Sequence, residues 1–149
     1  MTSIILLAIL GAVLSAVVGT IWYSMGTPMG KIHMRYLGFD RLTDDEKKQK
    51  MEEAKPMMAK MYGGQMLLSL LTSFATVFII TMSMRNGLTF GMALGFIVMN
   101  WLCFMVPIIG SGLIWGNCDR AIVWKKFFSD IGANLVTLLV IAFLAKLFV

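Results

Sequence analysis

Residues 3–23 read SIILLAILGAVLSAVVGTIWY, and no charged side chain occurs anywhere before Lys31. Twenty-one residues of helix are about 31 Å long at ~1.5 Å per residue, enough to cross the hydrocarbon layer of a bilayer. A cleaved leader would carry a basic start and a shorter apolar run. The expectation is therefore a retained membrane span over about residues 3–25.

The same pattern recurs downstream. Uncharged stretches place further spans at about 65–84, 88–115 and 128–149, and leave one long polar loop at 27–61. The last span needs Asp130 near one interface and Lys146 snorkelling to the other. Arg85-Asn86-Gly87 is a short turn, so the second and third spans form an antiparallel hairpin. Pro107 removes a helix hydrogen bond inside the third and predicts a kink. The fold class expected is all-α: residues 1–149 as a single membrane domain, a bundle of four transmembrane helices with an amphipathic cytoplasmic segment between spans one and two.

That amphipathic segment begins at Thr43. Thr43 followed by Glu46 is the pattern of a capping box, and Asp44, Asp45 and Glu46 suit the positive end of a helix dipole. Met51, Ala54, Met58 and Met61 then recur at helical spacing. Such a helix is expected to lie on the membrane or against the bundle, with Pro56 bending or dividing it.

Composition agrees with lipid as the solvent. The chain is 58% hydrophobic and only 14% charged, with mean hydropathy +0.81, more apolar surface than a core of this size hides. Net charge is +5, but the basic residues accompany acids in one loop and form no stripe with interleaved aromatics, which argues against nucleic acid. Eleven of the 13 Lys and Arg residues lie in 27–61 and 116–126, two segments that four spans put on one side. The positive-inside rule makes that side cytoplasmic and both termini external. A bacterial inner membrane is the expected location, with an organellar membrane the alternative. Cys103 and Cys118 on one helix would stand about 22 Å apart, too far for a disulfide.

Helices in lipid associate through close backbone approach and polar contacts. Gly11, Ser15 and Gly19 make one row of small residues, and Gly87, Gly91 and Gly95 another. Both are expected to pack within the chain's own bundle, with packing between copies the alternative. Asn100 and Asn134 are polar groups at membrane depth, suited to interhelical hydrogen bonds or to a solute site. Asp130 has Arg120, Lys125 and Lys126 as pairing candidates. Trp22, Tyr23, Trp115 and Trp124 fall near span ends, where amphipathic rings favour the headgroup level. The 14 methionines and His33 raise copper as a ligand, since thioethers are soft donors, but methionine also fills irregular packing surfaces and no long Met repeat runs here. One histidine and two distant cysteines are a poor zinc set. Neither a Gly-x-Ser-x-Gly elbow nor a phosphate-cradling loop occurs. No catalytic residue, metal or cofactor is expected.

Gly19-Thr20-Ile21-Trp22-Tyr23-Ser24, then Gly30-Lys31 and Leu37-Gly38 ahead of the acidic 42–46 segment, resemble the short membrane proteins grouped as domain of unknown function 1761. One span, a long polar loop and three more spans is also that family's plan. Pro28 falls later than in the family pattern, and His33 stands where an aromatic is usual. The resemblance implies the four-span fold and no activity. It marks Trp22, Tyr23, Ser24, Gly30 and Lys31 as a candidate functional turn at the cytoplasmic interface. Anchoring at the headgroups accounts for the same residues.

The function expected is that of a non-enzymatic membrane component, acting through helix and loop contacts with the bilayer, with itself as a homo-oligomer or as a subunit of a larger complex. A small-solute transporter or channel using Asn100, Asn134, Pro107 and Asp130 is the alternative, and a membrane-bound enzyme comes third.

Overall fold

The computed structural model describes residues 2–114 and 119–148. Five helices account for almost all of them, and no strand occurs among the described residues. Helix α1 is Thr2–Trp22, α2 is Pro28–Tyr36 and α3 is Asp44–Arg85. Helix α4 is Phe90–Ile114 and α5 is Arg120–Leu147. All but α2 are long and apolar enough to cross a membrane. They are the candidate spans of an integral membrane protein, as the hydropathy pattern predicts.

Local chemistry sets the helix ends. The capping box at Thr43 forms: the Glu46 N–H donates to the Thr43 hydroxyl, and the Glu46 carboxylate accepts from the Thr43 N–H at 2.7 Å and from its hydroxyl at 2.8 Å. Those bonds hold the exposed Glu46 carboxyl below the usual carboxylate range. At the other end of α3, Asn86 caps and Gly87 takes φ +82°, a left-handed turn that glycine adopts without strain. Thr89 then caps α4, which gives the expected hairpin. Asp119 caps α5 by accepting from the Ala121 N–H at 3.0 Å, so this helix starts eight residues ahead of the expected 128.

Two prolines lie inside helices that continue through them. Pro56 neither ends nor divides α3, which continues through it for 42 residues. The amphipathic segment and the second span are thus one unbroken helix, not a separate helix laid on the membrane. Pro107 follows a π-helical turn at Trp101–Met105. Widening that turn makes room for a ring that would otherwise meet the carbonyl four residues back, so the disturbance expected at Pro107 is taken up just before it.

The core is where α1, α3, α4 and α5 meet. Ile4 and Leu7 of α1, Val77 and Ile80 of α3, Ala93 and Ile97 of α4, and Leu138 and Ile141 of α5 form one buried cluster. Gly11 marks a close approach of α1 to α3 and α5: a Cβ there would lie 2.0 Å from the Ser73 hydroxyl and 3.3 Å from Ile141. The second glycine row behaves otherwise. A Cβ on Gly95 would meet nothing within 4 Å, and one on Gly91 only its neighbour Thr89 at 3.9 Å. That row faces outward, because the inward side of α4 is taken by Ala93 and Ile97, and the packing expected of it within this bundle is not made. Gly19 also has open space around it.

Gly11 opposite Ser73 sets the α1–α3 register. Counting back from Ser73 the same eleven residues that separate Gly11 from Trp22 reaches Tyr62, so the two aromatic side chains stand at one level. Residues 44–61 of α3 therefore extend about 27 Å past the end of α1. Residues 48–68 are exposed on every side of the helix.

Candidate functional site

The site lies where α1 stops and the chain turns back onto α5. After Trp22 the backbone leaves the helix, and Thr27 organises the turn. Its hydroxyl donates to the Trp22 carbonyl at 2.7 Å and accepts from the Gly30 N–H at 2.9 Å, capping α2. Pro28 occupies the first turn of α2, where its missing N–H costs nothing. Gly30 is buried against the turn it follows. A Cβ there would sit 1.9 Å from the Ser24 carbonyl oxygen, so this approach excludes any side chain.

This fold-back presents two adjacent aromatics to two adjacent polar residues of α5. The Trp22 indole N–H donates to the Ser129 hydroxyl at 3.2 Å, with the ring lying over Gly132. The Tyr23 hydroxyl donates to the Asp130 carboxylate at 2.6 Å. Lys126, one helical turn before Asp130, pairs with both oxygens of the same carboxylate. Its side chain is 9% exposed and that of Asp130 17%, so this ion pair is largely, not fully, withdrawn from the surface. The ammonium also lies 5.3 Å from the Tyr23 ring centre and 5.6 Å from that of Tyr36. Aromatic faces attract a cation, and more strongly once it is desolvated.

His33 completes the cluster from α2, its ring centre 5.0 Å from that of Tyr23. Burial, and then the positive charge of Lys126, hold its pKa below the ordinary value of 6.5. The neutral ring is the form that packs here.

Of the candidate residues read from sequence, Trp22, Tyr23 and Asp130 converge. Gly30 and the Ser24 carbonyl shape the turn beside them. Lys31 is exposed on α2. Asn134 lies one turn beyond Asp130 and donates to its backbone carbonyl at 2.9 Å. Asn100 is exposed on α4 and stands apart from the cluster. The Trp115 and Cys118 readings fall outside the described residues, and Cys103 is exposed. The sequence alone offers Lys126 as one of three partners for Asp130 and marks no role for Ser129, Tyr36 or Thr27. The available signals were the i,i+4 spacing of Lys126 and Asp130 and the two adjacent pairs, Trp22-Tyr23 and Ser129-Asp130.

The charged groups of the cluster satisfy one another, whereas His33 Nδ1 is buried there without a hydrogen-bond partner. The Asp130 carboxylate takes a phenol and an ammonium, and the ammonium is further covered by two rings. Among the described residues no group of three or more His, Cys, Asp or Glu side chains is placed to hold a metal ion. The arrangement fastens α1, α2 and α5 together at one end of the bundle.

A family described as Protein of unknown function (DUF1761) matches residues 6–145, from the first turns of α1 to the end of α5. The chain belongs to the DUF1761 family. No curated protein and no solved structure matches it. In this DUF1761 protein, the family-like turn Trp22-Tyr23-Ser24 and Gly30-Lys31 is the segment that carries the fold-back onto Lys126 and Asp130.

Proposed function

We propose that this DUF1761 protein is a non-enzymatic membrane component that holds out the first half of α3 as a docking stalk for a partner protein. The observation that carries the reading is the unbroken run of α3 through Pro56, with residues 48–68 exposed. A helix rooted in the bilayer keeps its far end away from lipid. Met51, Ala54, Met58 and Met61 then form an apolar stripe beyond the level of Trp22 and Tyr62, and Met51, Met58 and Met61 are all exposed. Methionine stripes adapt to partner surfaces.

The charges along the stripe favour a different chain over a second copy. Lys50 and Lys55 border it, and Glu52 and Glu53 lie on the far side of the helix. In a parallel pair of these stalks Lys50 would face Lys55 of the other copy, which is repulsive. An acidic-flanked helix is the complementary surface. The Trp22–Asp130 cluster serves this role as the brace that fixes the loop face of the bundle.

Extraction of the native complex in mild detergent tests the proposal. The expected result is a defined assembly with a second protein, released when Met58→Glu places a charge on the stripe. A solitary monomer, or an assembly unchanged by Met58→Glu, would overturn it. A small-solute carrier is the second reading, favoured by one observation: an ion pair is largely withdrawn from the surface within a span-forming helix. In that case solute flux through proteoliposomes would depend on Asp130.

A further inference from the structure

A groove of about 620 Å³ opens between the second half of α4 and the first half of α5. Val106, Pro107, Leu113, Val123 and Phe127 form its apolar walls, with Ser111 and Arg120 supplying the polar groups. The Trp101 indole N–H donates to the Ile131 carbonyl at 3.1 Å, which sets the register of the two helices at the groove's inner end. From that bond Arg120 lies eleven residues along α5, about 16 Å towards the loop face. The groove is thus apolar where it nears the bilayer interior and cationic at its outer mouth.

Arg120 is exposed, and among the described residues no carboxylate pairs with it. Its sequence neighbour Asp119 instead uses its carboxylate to cap α5. Among the described residues the guanidinium is therefore the group at this mouth that can offer its fork of donors to an anion, since the start of α5 is already capped by the Asp119 carboxylate. A ligand that satisfies both halves of the groove has an apolar tail and an anionic head. Its volume lies in the range of small-molecule sites.

We propose that this groove binds one anionic glycerophospholipid, with an acyl chain between α4 and α5 and the phosphate on Arg120. Basic pockets between membrane helices select anionic headgroups, and one basic residue near the surface accounts for about a fivefold preference. The site is separate from the α3 stalk and from the Lys126–Asp130 cluster, and it holds whether or not the stalk has a partner.

The test is native mass spectrometry of the full chain released from nanodiscs of equimolar phosphatidylglycerol and phosphatidylcholine. The expected result is one retained phosphatidylglycerol at about five times the frequency of phosphatidylcholine. Arg120→Gln should remove that preference, and Arg120→Lys should keep part of it by retaining the charge. Val123→Phe, which fills the groove, should lower retention of both lipids. Equal retention by the unmodified chain, or a preference unchanged in Arg120→Gln, overturns the site. If Val123→Phe fails to fold, the Arg120 pair still decides, since both variants alter only an exposed side chain.

Discussion

Lys126 can be buried because its ammonium meets groups that favour positive charge: the Asp130 carboxylate and, at 5.3 and 5.6 Å, the rings of Tyr23 and Tyr36. Removing one member is costlier than removing the pair. Asp130→Asn leaves the ammonium buried beside a neutral amide, and is expected to cost about 3–5 kcal/mol. The double change Lys126→Met with Asp130→Leu takes out both charges but leaves the Tyr23 hydroxyl without its acceptor, and is expected to cost about 1–3 kcal/mol, less than Asp130→Asn alone. Unfolding titrations of the three chains in mixed micelles measure the difference. An Asp130→Asn chain as stable as its parent would mean that water reaches the pair. His33 adds a pH dependence of known sign. Its folded-state pKa lies below 6.5, so the fold prefers the neutral ring. The stability it contributes is fully present above about pH 6.5 and is lost as pH falls through the lowered folded value. Because the chain has one histidine, its imidazole NMR signal can be followed without assignment. The expected midpoint is below 6.5, and a midpoint at or above that value contradicts the packing of α2 described above.

At the scale of helices, the two glycine rows make opposite predictions from one sequence pattern. Gly11→Leu drives a side chain into Ser73 and Ile141, and is expected to cost at least the ~1–3 kcal/mol of an overpacked core. Gly91→Leu points into open space and should change the stability of the single chain by less than about 0.5 kcal/mol. Any loss of assembly in Gly91→Leu would then report a contact between chains. Equal effects on unfolding would refute the register of α1 against α3. Spacing alone could not separate these rows, since Gly-x-x-x-Gly records which residues share a face and not which way the face points. The same limit explains most of what the sequence left open. The presence of four long apolar helices, the Thr43 capping box and the Arg85-Asn86-Gly87 hairpin are local features, and each is legible. The pairing of Lys126 with Asp130 was half legible, because i,i+4 spacing offers it but Arg120 and Lys125 compete. Trp22 on Ser129 and Tyr23 on Asp130 join residues 107 apart, and no local rule links them. Continuity through Pro56 was also hidden. Proline usually ends a helix, and the apolar support of the following span that carries α3 onward is not a local propensity.

For the whole molecule, an even number of crossings puts residues 2 and 148 at one face and the α1–α3 connection at the other. The contacts agree with this arrangement: the start of α1 packs near the end of α5 through Ile4 and Ala145, and the Phe90 ring at the start of α4 lies 5.3 Å from Phe143. The two faces differ sharply in charge. Eleven of the 13 Lys and Arg residues belong to the segments at the α1–α3 face, leaving Arg85 and Lys146 for the other. Short flanking segments rich in Lys and Arg resist transfer across the membrane during insertion, whereas acids have little influence. The six acids of residues 27–61 therefore do not offset its eight basic residues. The loop face, with the α3 stalk and Arg120, is expected in the cytoplasm. An alkaline phosphatase fusion after Val149 should be active and a green fluorescent protein fusion at the same place dark, with the reverse result for fusions ending within residues 44–61. A fluorescent C-terminal fusion would invert the topology, and with it the prediction that the methionine stripe of α3 meets a cytoplasmic partner.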